Sequence, residues 1–80
     1  YEQLRNDVCL HNLPVKVVGN GGGYGYGIMG ATHHNNEDIG IMRILPNMKV
    51  LVPLVATDVN EAIVWMLNSS YPNYLRLILI

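Results

Sequence analysis

Val15-Lys16-Val17-Val18-Gly19-Asn20-Gly21-Gly22-Gly23 runs from a β-branched segment directly into glycine. Val15 to Val18, short, rich in valine and preceded by Pro14, has the composition of a strand. Glycine permits positive φ and close backbone approach but costs conformational entropy on folding, so a cluster of glycines between ordered segments reads as a site loop. Positions 19 to 30 hold seven of the chain's eight glycines, and the stretch ends on His33-His34. Tyr24 and Tyr26 interleave with the glycines and Ile28 and Met29 follow them, residues that a flexible tether has no need of. A strand that ends in such a loop carries it to the carboxyl edge of a sheet, where open α/β sheets bind ligands.

Two further apolar runs repeat the strand pattern, Lys49 to Pro53 and Tyr74 to Ile80. Helical spacing separates the three. Glu2 to His11 reads as a helix with Leu4 and Val8 one turn apart, and Pro14 forbids its continuation. A second helix is expected from Glu37 to Leu45, with Asn35 or Asn36 as its cap. Glu37 and Asp38 suit the positive end of its dipole, and Ile39, Met42 and Leu45 form its apolar stripe. Asp58-Val59-Asn60-Glu61 resembles a capping box and opens a third helix whose Val59, Ala62, Ile63, Met66 and Leu67 share one face. Trp65 lies off that face and reads as packing against a surface outside the chain.

The order α-β-α-β-α-β predicts an α/β fold, a parallel β-sheet flanked by helices. Such a sheet is normally covered on both faces, whereas these few helices supply little cover and the last strand leaves an apolar edge. A neighbour is therefore expected: the remainder of a larger domain, or another copy of the chain in a homo-oligomer.

Composition narrows the functional classes. Eighty residues make one domain or part of one. Half of them are hydrophobic, and five basic against six acidic residues leave a net charge of −1, with no basic footprint for nucleic acid. The apolar run from Val50 to Ala56 is too short to cross a membrane and contains Pro53, and the N-terminal residues lack the pattern of a signal peptide. Cys9 is the single cysteine, so no internal disulfide forms; a reducing, cytoplasmic setting and a packed, inert thiol are expected.

Gly25-x-Gly27-x-x-Gly30 formally matches a dinucleotide fingerprint, but it lies several residues past the strand and well before the next helix. No Lys-Ser/Thr follows the glycines, so the stretch is not a P-loop. Adjacent histidines point in different directions and no second histidine-rich segment completes a tetrahedral set, so no metal site is expected. Two readings of the pair stay open. Either the imidazoles are satisfied within the loop, or a histidine held at the helix entrance hydrogen-bonds or protonates a bound substrate. Tyr24 and Tyr26 either pack on the sheet top or contact a ligand.

Several motifs in register carry a family resemblance. Asn12-Leu13-Pro14-Val15-Lys16-Val17-Val18-Gly19, Gly27-x-x-Gly30-Ala31-Thr32-His33-His34, Glu37-Asp38-Ile39, Met42-Arg43 and Leu45-Pro46-Asn47-Met48-x-Val50 resemble the pyrimidine-binding domain of transketolase-like thiamine-diphosphate enzymes, the C-terminal section of transketolase. The closing Tyr74-Leu75-Arg76-Leu77 is similar to the family's last strand. The resemblance implies that residues 1–80 form a single, partial pyrimidine-binding domain of a thiamine-diphosphate-binding fold. The activity it implies is ketol transfer from a sugar-like substrate, with thiamine diphosphate and magnesium as cofactors in a complete enzyme.

By the same resemblance His33 takes the place of the active-site histidine, and Tyr24, Tyr26, Gly27, Met29, Gly30 and Thr32 belong to its substrate loop. The sequence departs from the sugar-transferring pattern in three places. Met29 stands where an acidic residue is usual, Gly21 where many members have a histidine, and Leu79 near where a phosphate-binding basic residue is often found. The family's catalytic glutamate, its pyrimidine-stacking aromatic residue and its Gly-Asp-Gly diphosphate signature have no counterpart here. The chain is therefore expected to be a fragment, inactive by itself. The alternative is a non-catalytic α/β module for oligomerisation or small-anion binding.

Overall fold

The computed structural model describes residues 1–24, 27–32 and 34–78. Strand β1 spans Lys16–Gly22, β2 Lys49–Leu51 and β3 Asn73–Ile78; helix α1 spans Asp38–Arg43 and α2 Asp58–Asn68. A π-helical segment, Leu4–Cys9, precedes β1, and a 3-10 turn, Gly27–Met29, follows it. The strands form one parallel sheet in the order β1-β3-β2, with Val17, Tyr74 and Val50 side by side in one row and Val18, Leu75 and Leu51 in the next. This is the α/β fold with a parallel sheet that the alternation of apolar runs and helical spacing predicts.

The period-two alternation of a strand sorts the core into two faces. Tyr74 joins Cys9, Leu45 and Met48 in a buried cluster, packed round by Leu4, Val8, Val17, Met42 and Val50, so the N-terminal segment and α1 cover that face. Leu75 belongs to the opposite face and is buried, as is Met66 of α2. Cover on this second face is incomplete. Val18, in the same row as Leu75, is 57% exposed.

Several expected boundaries shift. The strand expected over 15–18 extends through Gly22, so the first third of the glycine stretch is sheet rather than loop. Its register slips between Gly19, opposite Arg76, and Gly22, opposite Ile78; one extra residue in β1 makes a bulge, with Gly21 at φ 81°. The helix expected over 2–11 is helical over 2–9, mostly as the π-helical segment, where Leu10 N–H bonds Arg5 carbonyl and Leu13 N–H bonds Val8 carbonyl at 3.0 Å. Asn12 then takes φ 52°, a left-handed exit that asparagine tolerates, before Pro14.

Helix α1 is likewise shorter than expected. Its cap position is Glu37, with no side-chain bond, because Asn35 is engaged elsewhere. The capping box at Asp58 does not form: Thr57 occupies the cap position in helical conformation and Asp58 is already inside α2. Of the apolar face expected for α2, Met66 is buried and Val59 and Ala62 are half-buried, whereas Ile63 and Leu67 are exposed. Trp65 is exposed too. β2 ends at Leu51, two residues before Pro53, which has no N–H for a ladder. Of the final apolar run, β3 takes 73–78, and Leu79 and Ile80 lie outside the described residues.

Lys16 Nζ donates to the carbonyls of Ser69 (2.8 Å) and Tyr71 (2.7 Å), tying β1 to the turn that leads from α2 into β3. No helix among the described residues is long and apolar enough to cross a membrane.

Candidate functional site

The carboxyl ends of β1 and β3 meet a loop closed at its base by paired backbone bonds. Gly23 N–H donates to Asn35 carbonyl (2.8 Å), and Asn35 N–H returns a bond to Gly23 carbonyl (3.2 Å). The chain therefore leaves the sheet edge at Gly23 and returns to it at Asn35. Gly23 itself sits at φ 73°, a left-handed conformation that opens the loop at no steric cost to glycine.

Within the loop, Gly27 N–H donates to Tyr24 carbonyl (2.9 Å) and Gly30 N–H to Gly27 carbonyl (3.2 Å). His34 Nε2 bonds the Gly27 carbonyl at 3.0 Å, and its ring meets Tyr24 edge-on, with centroids 5.0 Å apart and planes at 78°. One ring nitrogen of His34 is thus engaged within the loop, and Tyr24, although exposed, has its ring edge against the same imidazole. Met29 and Thr32 are exposed on the same loop, together with Gly27, and Gly30 is half-buried beside them. His33 and Tyr26, both expected in the site, lie outside the described residues.

Beneath the loop lies a polar cluster on the Tyr74 face of the sheet. Tyr74 Oη donates to Asp38 Oδ2 (2.7 Å), and Arg76 Nε lies 3.4 Å from the same oxygen. Arg76 Nη2 reaches up to the Asn35 carbonyl (2.8 Å), which thus accepts from both Arg76 and Gly23. Asp38 and Tyr74 are buried and Arg76 is nearly so. Neither Asp38 Oδ1 nor Arg76 Nε has a hydrogen-bond partner among the described residues, so the Arg76 Nε–Asp38 contact is an ion pair alone.

Two strand glycines make room for this cluster. A Cβ on Gly19 would collide with the Tyr74 ring, and one on Gly22 with the Arg76 guanidinium. Sequence reasoning placed Asp38, Tyr74 and Arg76 in family motifs and Asp38 at the helix dipole, but did not bring the three together as a site. The available signal was the two-residue spacing of Tyr74 and Arg76, which places both side chains on one face of β3.

Burial, then the hydrogen bond and negative charge of Asp38, push the Tyr74 phenol from 10.0 up to about 12, against a smaller opposing pull from Asn35 and Arg76. The unfolded chain therefore releases this proton first, and between pH 10 and 12 the folded state holds the extra proton. Tyr74's contribution to stability is complete below pH 10 and is lost as pH rises to about 12. Spectrophotometric titration is expected to show one late phenolate that Tyr74→Phe removes; a titration without a late phase contradicts the buried donor. Burial also raises the Cys9 thiol, which agrees with a packed residue rather than a nucleophile.

On the opposite sheet face, also at the strand carboxyl ends, Asn20, Pro53, Val55, Val59, Leu77 and Ile78 line a largely apolar cavity of about 260 Å³. Among the described residues no three His, Cys, Asp or Glu side chains converge as a metal site.

Comparison with known proteins identifies this arrangement. The family model "Transketolase, pyrimidine binding domain" matches residues 1–79. One of the apulose-4-phosphate transketolase subunits of Actinobacillus succinogenes is 37% identical over 76 residues, which cover 95% of this chain and 24% of that protein. The 1-deoxy-D-xylulose-5-phosphate synthase of Lawsonia intracellularis is 36% identical over 76 residues, 95% of this chain and 12% of its own. Among solved structures, a split-gene transketolase described as an inactive beta4 tetramer superposes with a TM-score of 0.79 at 35% identity, over 94% of this chain and 23% of that one. The chain thus spans about a quarter or less of the length of these relatives. With the family model matched almost end to end, the chain belongs to the transketolase pyrimidine-binding domain family.

Proposed function

We propose that this segment supplies the substrate loop of a transketolase-like, thiamine-diphosphate-dependent ketol transferase and does not turn over by itself. The observation that carries this reading is the closure of residues 24–34 at Gly23 and Asn35, on the carboxyl edge of a parallel sheet. That is where α/β sheets bind ligands. Gly30-Ala31-Thr32-His33 lies between Gly23 and Asn35 in the sequence, and His33 is the residue we assign to hydrogen-bonding or protonating a sugar-like substrate. His34 has its Nε2 engaged by the Gly27 carbonyl in this arrangement.

The described residues do not fit the diphosphate end of the cofactor. The glycines at 19 and 22 are filled by Tyr74 and Arg76 rather than open as a phosphate cradle, and among the described residues no carboxylate cluster is available to magnesium. Cofactor binding on this reading is not carried by the described residues. The uncovered surface supports the same view: Val18, Leu54 and Leu67 are exposed, and a neighbouring domain or a second copy of the chain would bury them.

Isothermal titration of the 80-residue chain with thiamine diphosphate and magnesium is expected to show no micromolar binding. Micromolar affinity would overturn the claim that the cofactor is held elsewhere. In an assembled holoenzyme, His33→Ala is expected to lower kcat and leave the cofactor Kd unchanged, and an unaltered kcat removes His33 from the reaction.

A further inference from the structure

We infer that Arg76 is a positioning residue that holds the base of the 24–34 loop closed from below, and that Gly22 is glycine to let it do so. The geometry is specific. Arg76 stands on the central strand β3, and its guanidinium makes two contacts in two directions: Nε stands 3.4 Å from Asp38 Oδ2 as an ion pair without a hydrogen bond, and Nη2 donates to the Asn35 carbonyl (2.8 Å). Asp38 is itself anchored by Tyr74 Oη (2.7 Å), so the lower end of the link is fixed to the core. The upper end is the carbonyl that also accepts Gly23 N–H, half of the two-way bridge closing the loop.

A rigid planar fork suits this task. Lysine's single ammonium has no second nitrogen at a fixed angle, so it cannot reproduce both contacts at once. Charge-assisted bonds are stronger than neutral ones, and this one lies in a nearly buried place where water competes weakly. Gly22 is the matching feature on β1. It is not among the glycines with positive φ, so its backbone does not demand glycine; the demand comes from the Arg76 Nε, Cδ and Cζ atoms that occupy the place of its Cβ. Arg76→Met and Gly22→Ala therefore attack one contact from opposite sides, the first by deleting the guanidinium and the second by displacing it.

The functional meaning of this link rests on reading 24–34 as the substrate loop, but its test needs neither substrate nor cofactor. Hydrogen exchange of the chain, followed amide by amide, reads it directly. The amides of Gly23 and Asn35 report the loop base, and those of Asn73 and Lys49, bonded to Val15 and Pro72 carbonyls, report the sheet. Arg76→Met is expected to speed exchange at Gly23 and Asn35 at least tenfold relative to Asn73 and Lys49.

Gly22→Ala is expected to do the same, and the double variant is expected to open the loop base no further than Arg76→Met alone. Equal acceleration at all four amides would make Arg76 a general stabiliser and overturn the inference. Additive effects in the double variant would separate Gly22 from Arg76 and overturn it as well. Either result leaves the proposed transferase role standing, whereas that role is tested by cofactor titration and by His33.

Discussion

Asp38→Ala is expected to cost about 3–5 kcal/mol, the range for removing one partner of a buried ion pair. Asp38 is the first residue of α1 and its side chain is 6% exposed; Arg76, its partner, is 14% exposed. The substitution removes the acceptor of the Tyr74 hydroxyl and the counter-charge of Arg76 together, and leaves a guanidinium and a phenol under the loop with no carboxylate between them. Water is not admitted freely to either group, so little of the loss is recovered.

A chain of this size has roughly 4–12 kcal/mol of stability in all, taking about 0.05–0.15 kcal/mol per residue. The substitution therefore removes between about a quarter of that stability and all of it. Urea denaturation followed by circular dichroism measures the change. Asp38→Asn separates the two causes, since it keeps an oxygen for Tyr74 and discards the charge; it is expected to lose less than Asp38→Ala. A loss below about 1 kcal/mol for Asp38→Ala would mean that the pair is solvated and that its buried geometry is wrong.

The fold was legible because its signals are periodic. Three β-branched runs and the intervening helical spacing are properties of neighbouring residues, and parallel pairing follows from their alternation. The glycine stretch misled in one respect. Seven glycines read as loop from Gly19 onward, whereas Gly19 to Gly22 is strand. Local composition counts glycines but does not reveal what lies above them, and here Tyr74 and Arg76, more than fifty residues later in the chain, fill the space.

The polar cluster escaped notice for the same reason. Asp38, Tyr74 and Arg76 are brought together by sheet order, and no short-range pattern joins residue 38 to residue 74. Caps failed differently. Asn35 has a good capping side chain, but its backbone is committed to the bridge with Gly23, which sets the chain path before the helix begins.

Leu75→Ala is expected to destabilise the chain by about 2–5 kcal/mol, the range for truncating a buried leucine. Leu75 occupies the centre of the central strand, 1% exposed, with Val18 on one side and Leu51 on the other. Its cost should fall in the upper half of that range. The backbone round it is tied on both edges by parallel pairing, so the strands cannot close in on the vacated space, and an unrelaxed cavity adds to the lost transfer energy.

Val18→Ala supplies the internal control. It lies in the same row of the sheet and loses a similar kind of side chain, but Val18 is 57% exposed and is expected to lose less than about 1 kcal/mol. The contrast tests the uneven cover of this face, because burial rather than strand position separates the two residues. Equal losses in urea denaturation would show that Val18 is covered in solution, by a second copy of the chain if the loss grows with protein concentration.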